Sequence, residues 1–150
     1  MGKIRFARLT PELLSALPDS YGGEEIHGVP AFVCDPPNLA LVMFDGTQIM
    51  GAGGLVHIWQ GRAIAWFLPG LNMGQRHFGW ALARCKRELV RAADAGLRRV
   101  ECTVRCGNEA GLRFANRLGF IWEGTMHAFS PTGADHELVA RVRASERCSS

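Results

Sequence analysis

Apolar and polar positions follow two periods along this chain, and each period picks out its own elements. Two-residue alternation, or a short apolar run between turn residues, predicts strands at Lys3 to Leu9, Leu39 to Phe44, Gln48 to Trp59, Ala63 to Leu68, Arg99 to Val104, Phe120 to Phe129 and His136 to Val142. Asp45-Gly46 between the second and third runs is a hairpin signal that makes those strands antiparallel neighbours. Gly51, Gly53 and Gly54 inside the third run predict a bulge or a close backbone approach. Ala63 to Leu68 is apolar on both faces, as a central strand is.

The helical period predicts three further segments. Thr10-Pro11 opens one, with Leu13, Leu14 and Leu17 on its apolar face and Pro18 as its stop. A second runs from Gln75 to Ala95, buries Leu82, Cys85, Leu89 and Ala92, and ends at Gly96. A third, Asn108 to Leu118, ends at Gly119. Asp19 to Pro37 keeps no single period and reads as a loop with a short helical piece. Residues 1–144 are expected to form one domain and 145–150 a frayed tail.

Composition narrows the function classes. At 47% hydrophobic and 21% charged residues the chain is an ordinary globule, and no apolar run reaches the roughly 20 residues that span a bilayer. A net charge of +3 falls short of a duplex-binding patch, so nucleic acid has no support. The opening Met1 to Phe6 lacks the apolar core of a signal peptide, which points to a cytoplasmic setting. Cys34, Cys85, Cys102, Cys106 and Cys148 are an odd set without scaffold spacing and read as reduced structural thiols. Asp135-His136-Glu137 is a poor metal cluster, because adjacent strand residues point to opposite faces; no metal is expected.

The most informative stretch is Arg76-His77-Phe78-Gly79-Trp80-Ala81, at the passage from an apolar strand into an amphipathic helix. A helix N-terminus presents unpaired N–H groups and the positive end of its dipole, and a small residue lets phosphate oxygens approach. An ordinary helix start with a packing glycine fits the same six residues.

With this stretch and a second one, Asn108-Glu-Ala-Gly-Leu-Arg-Phe-Ala-Asn-Arg-Leu-Gly-Phe120 followed by Glu123-Gly124, the chain resembles the Gcn5-related N-acetyltransferase (GNAT) superfamily over nearly its whole length. Arg76-x-x-Gly79-x-Ala81 is similar to that family's acetyl-CoA signature. The second stretch looks like its Asn, helix, Leu-Gly-Phe, Glu-Gly segment. The variant resembles acetyltransferase-like proteins of bacteriophages, internal virion proteins among them.

The resemblance implies an α+β fold, with a mixed, mostly antiparallel sheet of six to seven strands flanked by about four helices. It implies acetyl-CoA as acyl donor and an unspecified amine as acceptor, with a homodimer or virion association as further possibilities. The pantetheine arm would pair with the strand edge at Trp66 to Leu71, which carries Phe67, Leu68 and Leu71, near Pro69-Gly70. The diphosphate would lie on the N–H groups of His77, Phe78, Gly79, Trp80 and Ala81, with Arg76 adding charge and Asn108 and Arg113 further contacts.

Acetyl transfer needs a neutral amine, alignment, and a proton for the departing thiolate. The family often supplies that proton from a Tyr where this chain has Phe114. Tyr21, Glu25 and Glu101 are the acid and base candidates, with Glu24 and His27 beside the first two. The implied activity is acetyl-CoA-dependent N-acetylation. The alternative is a phage structural or host-interaction protein that binds acyl-CoA without efficient catalysis.

Overall fold

The computed structural model describes residues 2–18 and 29–143. Its elements in chain order are β1 (Ile4–Arg8), α1 (Pro11–Ser15), a 3-10 turn (Ala31–Cys34), β2 (Leu39–Asp45), β3 (Gln48–Trp59), β4 (Arg62–Pro69), α2 (Gln75–Asp94), β5 (Arg99–Arg105), α3 (Glu109–Arg117), β6 (Ile121–Met126) and β7 (His136–Val142). The seven strands are hydrogen-bonded in the order β1-β2-β3-β4-β5-β7-β6. β1–β2, β2–β3, β5–β7 and β6–β7 are antiparallel and β4–β5 is parallel, so the sheet is mixed and the class α+β. The described residues hold three α-helices beside the 3-10 turn, against the four or so expected.

Contacts group the chain into two compact units, Met1–His57 with Ala65–Ala83, and Ile58–Ile64 with Arg84–Ser150.

In the first unit Thr10 caps α1, its hydroxyl accepting from the Leu13 N–H at 3.2 Å, and Pro11 occupies the first helical position. The helix stops at Ser15, short of Pro18, because Ala16 and Leu17 bond to carbonyls three residues back, a tighter turn than the α-helix. Leu13, Leu14 and Leu17 still pack on the cluster of Leu9, Ala40, Val42, Phe44 and Ala52. These three are partly buried, so each contributes less than the about 1.5–3 kcal/mol of a fully buried side chain, and together they hold this short helix in place.

The hairpin turn falls at Gly46-Thr47, since Asp45 pairs with Gln48 and closes β2. The bulge leaves Met50 between Met43↔Gly51 and Phe44↔Ile49. The glycines of β3 mark close approach: a Cβ on Gly51 would stand 2.8 Å from the Leu68 carbonyl, and one on Gly53 3.0 Å from that of Trp66. A Cβ on Gly54 would run into the Leu39 carbonyl. Any side chain at these positions pushes neighbouring strands apart.

In the second unit β5 and β7 pair over their full lengths, and Val100, Val104, Ala115, Phe120, Val139 and Ala140 are buried. α2 and α3 end the same way. Leu97 bonds back to Ala92 and Gly96 to Ala93; Phe120 bonds back to Ala115 and Gly119 to Asn116. This double closure puts its glycine in the left-handed region, at φ 108° for Gly96 and 91° for Gly119, which is why both helices stop there. β6 ends at Met126 rather than Phe129, because the Ala128 N–H turns aside to the Asp135 carboxylate at 2.8 Å. Cys34, Cys85, Cys102 and Cys106 are free thiols.

Candidate active site

The first unit carries the glycine-bearing helix start. The Gly70 N–H donates to the Met50 carbonyl at 2.8 Å and the Met73 N–H to the Gly70 carbonyl at 3.1 Å, so the loop from β4 into α2 folds back against β3. A Cβ on Gly70 would strike that Met50 carbonyl. Gly74 precedes the helix; its carbonyl takes the first helical bond, from the Phe78 N–H at 3.1 Å. The N–H groups of Gln75, Arg76 and His77 therefore precede the helical ladder, and those from Phe78 onward belong to it. Of the expected cradle amides, His77 to Ala81, only that of His77 stands ahead of the ladder. The amides ahead of the ladder, Gln75 to His77, lie nearer the start of the helix than the expected set.

Side chains sort this first turn into faces. His77 points inward: its Nδ1 accepts from the Gly74 N–H at 2.9 Å and its Nε2 lies 2.8 Å from Asp45 Oδ2. Arg76 Nη1 is 3.9 Å from the same oxygen, with the Arg76 side chain 43% exposed. The His77 hydrogen bond, with Arg76 nearby, holds the Asp45 carboxyl below the usual carboxylate range. Phe78 meets Phe67 edge-on with centroids 6.4 Å apart, tying the first turn of α2 to the end of β4. Leu68 and Ala81 are buried, so the Ala81 side chain serves packing, while Leu71 and Trp80 are exposed.

Gly79 differs from the packing glycines of β3. It is exposed, and a Cβ built on it meets nothing within 4 Å among the described residues. A glycine inside a helix costs about 1 kcal/mol relative to alanine, and no neighbour here requires it. It lies one turn beyond Gln75 and Arg76, and helical Cβ atoms tilt toward the N-terminus, so its open space adjoins the amides that precede the ladder.

The second unit holds Glu101, Asn108 and Arg113. Asn108 is the N-cap of α3, its Oδ1 accepting from the Gly111 N–H at 3.0 Å, as its position ahead of the helix foretells. Arg113 is exposed one turn on. Glu101 is a different matter from the base that was expected. Arg62 Nε and Nη2 reach its two oxygens at 2.7 and 2.8 Å, and Arg99 Nε reaches Oε1 at 2.7 Å. Only 14% of its side chain is exposed. The Arg62 hydrogen bonds, then those of Arg99, bring its carboxyl down to about 2. A carboxylate that weakly basic is poorly matched to taking a proton from an amine near neutral pH. Glu101 is the hub of an ion-pair chain that continues through Arg99 to Glu123 at 2.5 Å, while Arg62 stacks over the Trp59 ring at 4.4 Å.

Sequence reading missed Arg62, Arg99 and Asp45 as partners of the candidate residues. Arg99 and Glu101 sit two apart on one strand, a signal that they share a face; Arg62 and Asp45 are 39 and 32 positions from their partners and leave no local signal. A concavity of about 410 Å³ opens over this ion-pair chain, lined by Trp59, Gly61, Arg62, Arg98, Arg99 and Glu101. A second missed cluster surrounds Glu137, whose carboxylate accepts from Trp122 Nε1, from Thr125 Oγ1 at 3.0 Å and from Cys106 Sγ at 3.2 Å. Tyr21, Glu24, Glu25 and His27 lie outside the described residues. Among the described residues no three His, Cys, Asp or Glu side chains are placed to hold a metal ion, and no helix is long and apolar enough to cross a membrane.

No protein-family model matches the chain, and no curated protein matches it. Solved structures do. A GNAT-family acetyltransferase from Streptococcus pneumoniae superposes with a TM-score of 0.71 at 16% identity, over 94% of this chain and 100% of that one. Spermidine/spermine N-acetyltransferase from Vibrio cholerae gives 0.68 at 16% identity, over 93% and 92%. The microcin C7 self-immunity acetyltransferase, solved with acetyl-CoA and AMP, gives 0.64 at 18% identity, over 79% and 68%. Together with the strand order and the parallel β4–β5 pair, these likenesses establish that the chain has the GNAT acetyltransferase fold.

Proposed function

We propose that the protein is an acetyl-CoA-dependent N-acetyltransferase that acts on an amine. The observation that carries the reading is Gly79, a helical glycine that no neighbour among the described residues requires, beside amides that precede the helical ladder. Its absent side chain leaves room for the diphosphate of the donor over the N–H groups of Gln75 to His77, at the positive end of the α2 dipole. Arg76 adds charge there. The pantetheine arm would run along the end of β4, at Phe67 and Leu68, with Leu71 just past the strand. A neighbour of the same fold was solved with acetyl-CoA, and another is a spermidine/spermine N-acetyltransferase, which supports the donor and the amine acceptor in kind.

Acetyl-CoA supplies an activated thioester carbonyl. The amine nitrogen forms a bond to that carbon, the carbon–sulfur bond breaks, and the amine gives up a proton while the thiolate takes one. The chain's part is to align the two reactants and to move those protons. With Glu101 committed to two arginines, Tyr21 and Glu25 remain the acid and base candidates.

A second reading, acyl-CoA binding without efficient turnover, is favoured by one observation: Phe114 has no ionisable group where the family often places its acid. Free-thiol release from acetyl-CoA across a panel of primary amines, with mass spectrometry of the products, separates the two. An acetylated amine with one thiol released per acetyl group supports the transferase. Saturable acetyl-CoA binding with no amine-dependent thiol release supports the binder.

A further inference from the structure

This inference deepens the proposed function and rests on α2 as the donor cradle. Asp45 lies at the end of β2, 32 positions before His77 and outside both signature stretches. Its Oδ2 is 2.8 Å from His77 Nε2, and His77 Nδ1 accepts from the Gly74 N–H at 2.9 Å. A neutral imidazole has one donor and one acceptor nitrogen; with Nδ1 accepting, the proton is on Nε2 and is donated to Asp45. Both side chains are largely buried, at 15% and 16% exposure. Asp45 Oδ2 is also 3.9 Å from Arg76 Nη1, so one carboxylate oxygen faces both the inward and the outward residue of the first turn.

We infer that Asp45 is a positioning residue for the acetyl donor, acting through His77. By fixing the His77 tautomer it commits the Gly74 amide to the imidazole and sets where the ladder of α2 begins. The amides offered to the diphosphate are then those of Gln75 to His77. Without Asp45 the imidazole can carry its proton on Nδ1, where it opposes the Gly74 N–H instead of accepting it. The loop then loses its fixed entry into the helix, and the donor binds to a turn that must be ordered at the moment of binding.

The test reads the relay and the donor separately. Nitrogen NMR of the free wild-type protein at pH 8 is expected to show His77 protonated on Nε2 with Nδ1 as acceptor. Asp45→Ala is expected to mix the tautomers, and Asp45→Asn, whose amide oxygen still accepts, to keep the wild-type form. Calorimetric titration with acetyl-CoA below the melting transition should give about a tenfold weaker Kd for Asp45→Ala and a change of less than about threefold for Asp45→Asn, the loss and retention of one hydrogen bond. A His77 protonated on Nδ1 in the wild type overturns the inference, as does a folded Asp45→Ala that binds acetyl-CoA like the wild type. A wild type with the expected tautomer that binds no acetyl-CoA overturns instead the donor reading on which the inference stands. Should Asp45→Ala fail to fold, the wild-type spectrum and Asp45→Asn still decide.

Discussion

Arg62 on β4 and Glu101 on β5 form a two-point ion pair, with N–O distances of 2.7 and 2.8 Å, across the parallel register that joins those strands. Arg99 reaches the same carboxylate and continues to Glu123, so charges alternate along the chain of four. Removing one member leaves a neighbour partly buried and unpaired, which costs more than losing an exposed pair.

Glu101→Gln is therefore expected to lower stability by about 2 kcal/mol, discounted for the partial exposure of Arg62 and Arg99, or about 4–8 °C in Tm. Its turnover per folded molecule should stay within about threefold of wild type, whereas loss of a general base costs about a hundredfold or more. A melting scan paired with initial rates on the same sample separates the two outcomes.

Acid should weaken the fold in a defined window. The folded Glu101 carboxyl sits at about 2, against an ordinary value of 4.5, so its stabilisation is fully present above about 4.5 and is lost as pH falls toward 2. Asp45, Glu123, Asp135 and Glu137 are also shifted downward by hydrogen bonds and add with the same sign. Denaturant midpoints measured from pH 6 to pH 2 should decline most steeply below 4.5, with a shallower decline in Glu101→Gln.

Phe114 on α3 gives a gain-of-function test. Phe114→Tyr places a phenolic hydroxyl at the position that the proposed acetyltransferase reading would give to an acid. Thiol release is expected to rise by about tenfold or more at unchanged acetyl-CoA affinity, toward the lower end of what general acid catalysis supplies. An unchanged rate would assign the thiolate proton to another group.

Local chemistry was the legible part of this chain. Gln48 to Trp59 and His136 to Val142 match their strands because turn residues bracket them, and Thr10, Gly96, Asn108 and Gly119 do at the helix ends what their residue types allow. Pairings distant in sequence were not legible. Glu101 read as an acid or base candidate on its strand, and only the β4–β5 register shows it beside Arg62. His77 read as a cradle residue, and only the fold brings Asp45 to its ring. Nor does sequence show that the Gly74 carbonyl already closes the first turn of α2, which puts the amides from Phe78 onward inside the helical ladder.

Gly79 offers the most direct test of the acetyl-donor site, because the free and the bound protein want opposite things there. With no neighbour among the described residues within 4 Å, Gly79→Ala should raise the Tm of the free protein by about 2–4 °C through helix propensity alone. Wild type with acetyl-CoA at a hundred times its Kd should melt about 5–10 °C higher than without it. Gly79→Glu should fold normally and show no shift with acetyl-CoA, because its side chain and charge fill the space beside the Gln75 to His77 amides. A Gly79→Glu protein that acetyl-CoA stabilises as it does the wild type would contradict the site.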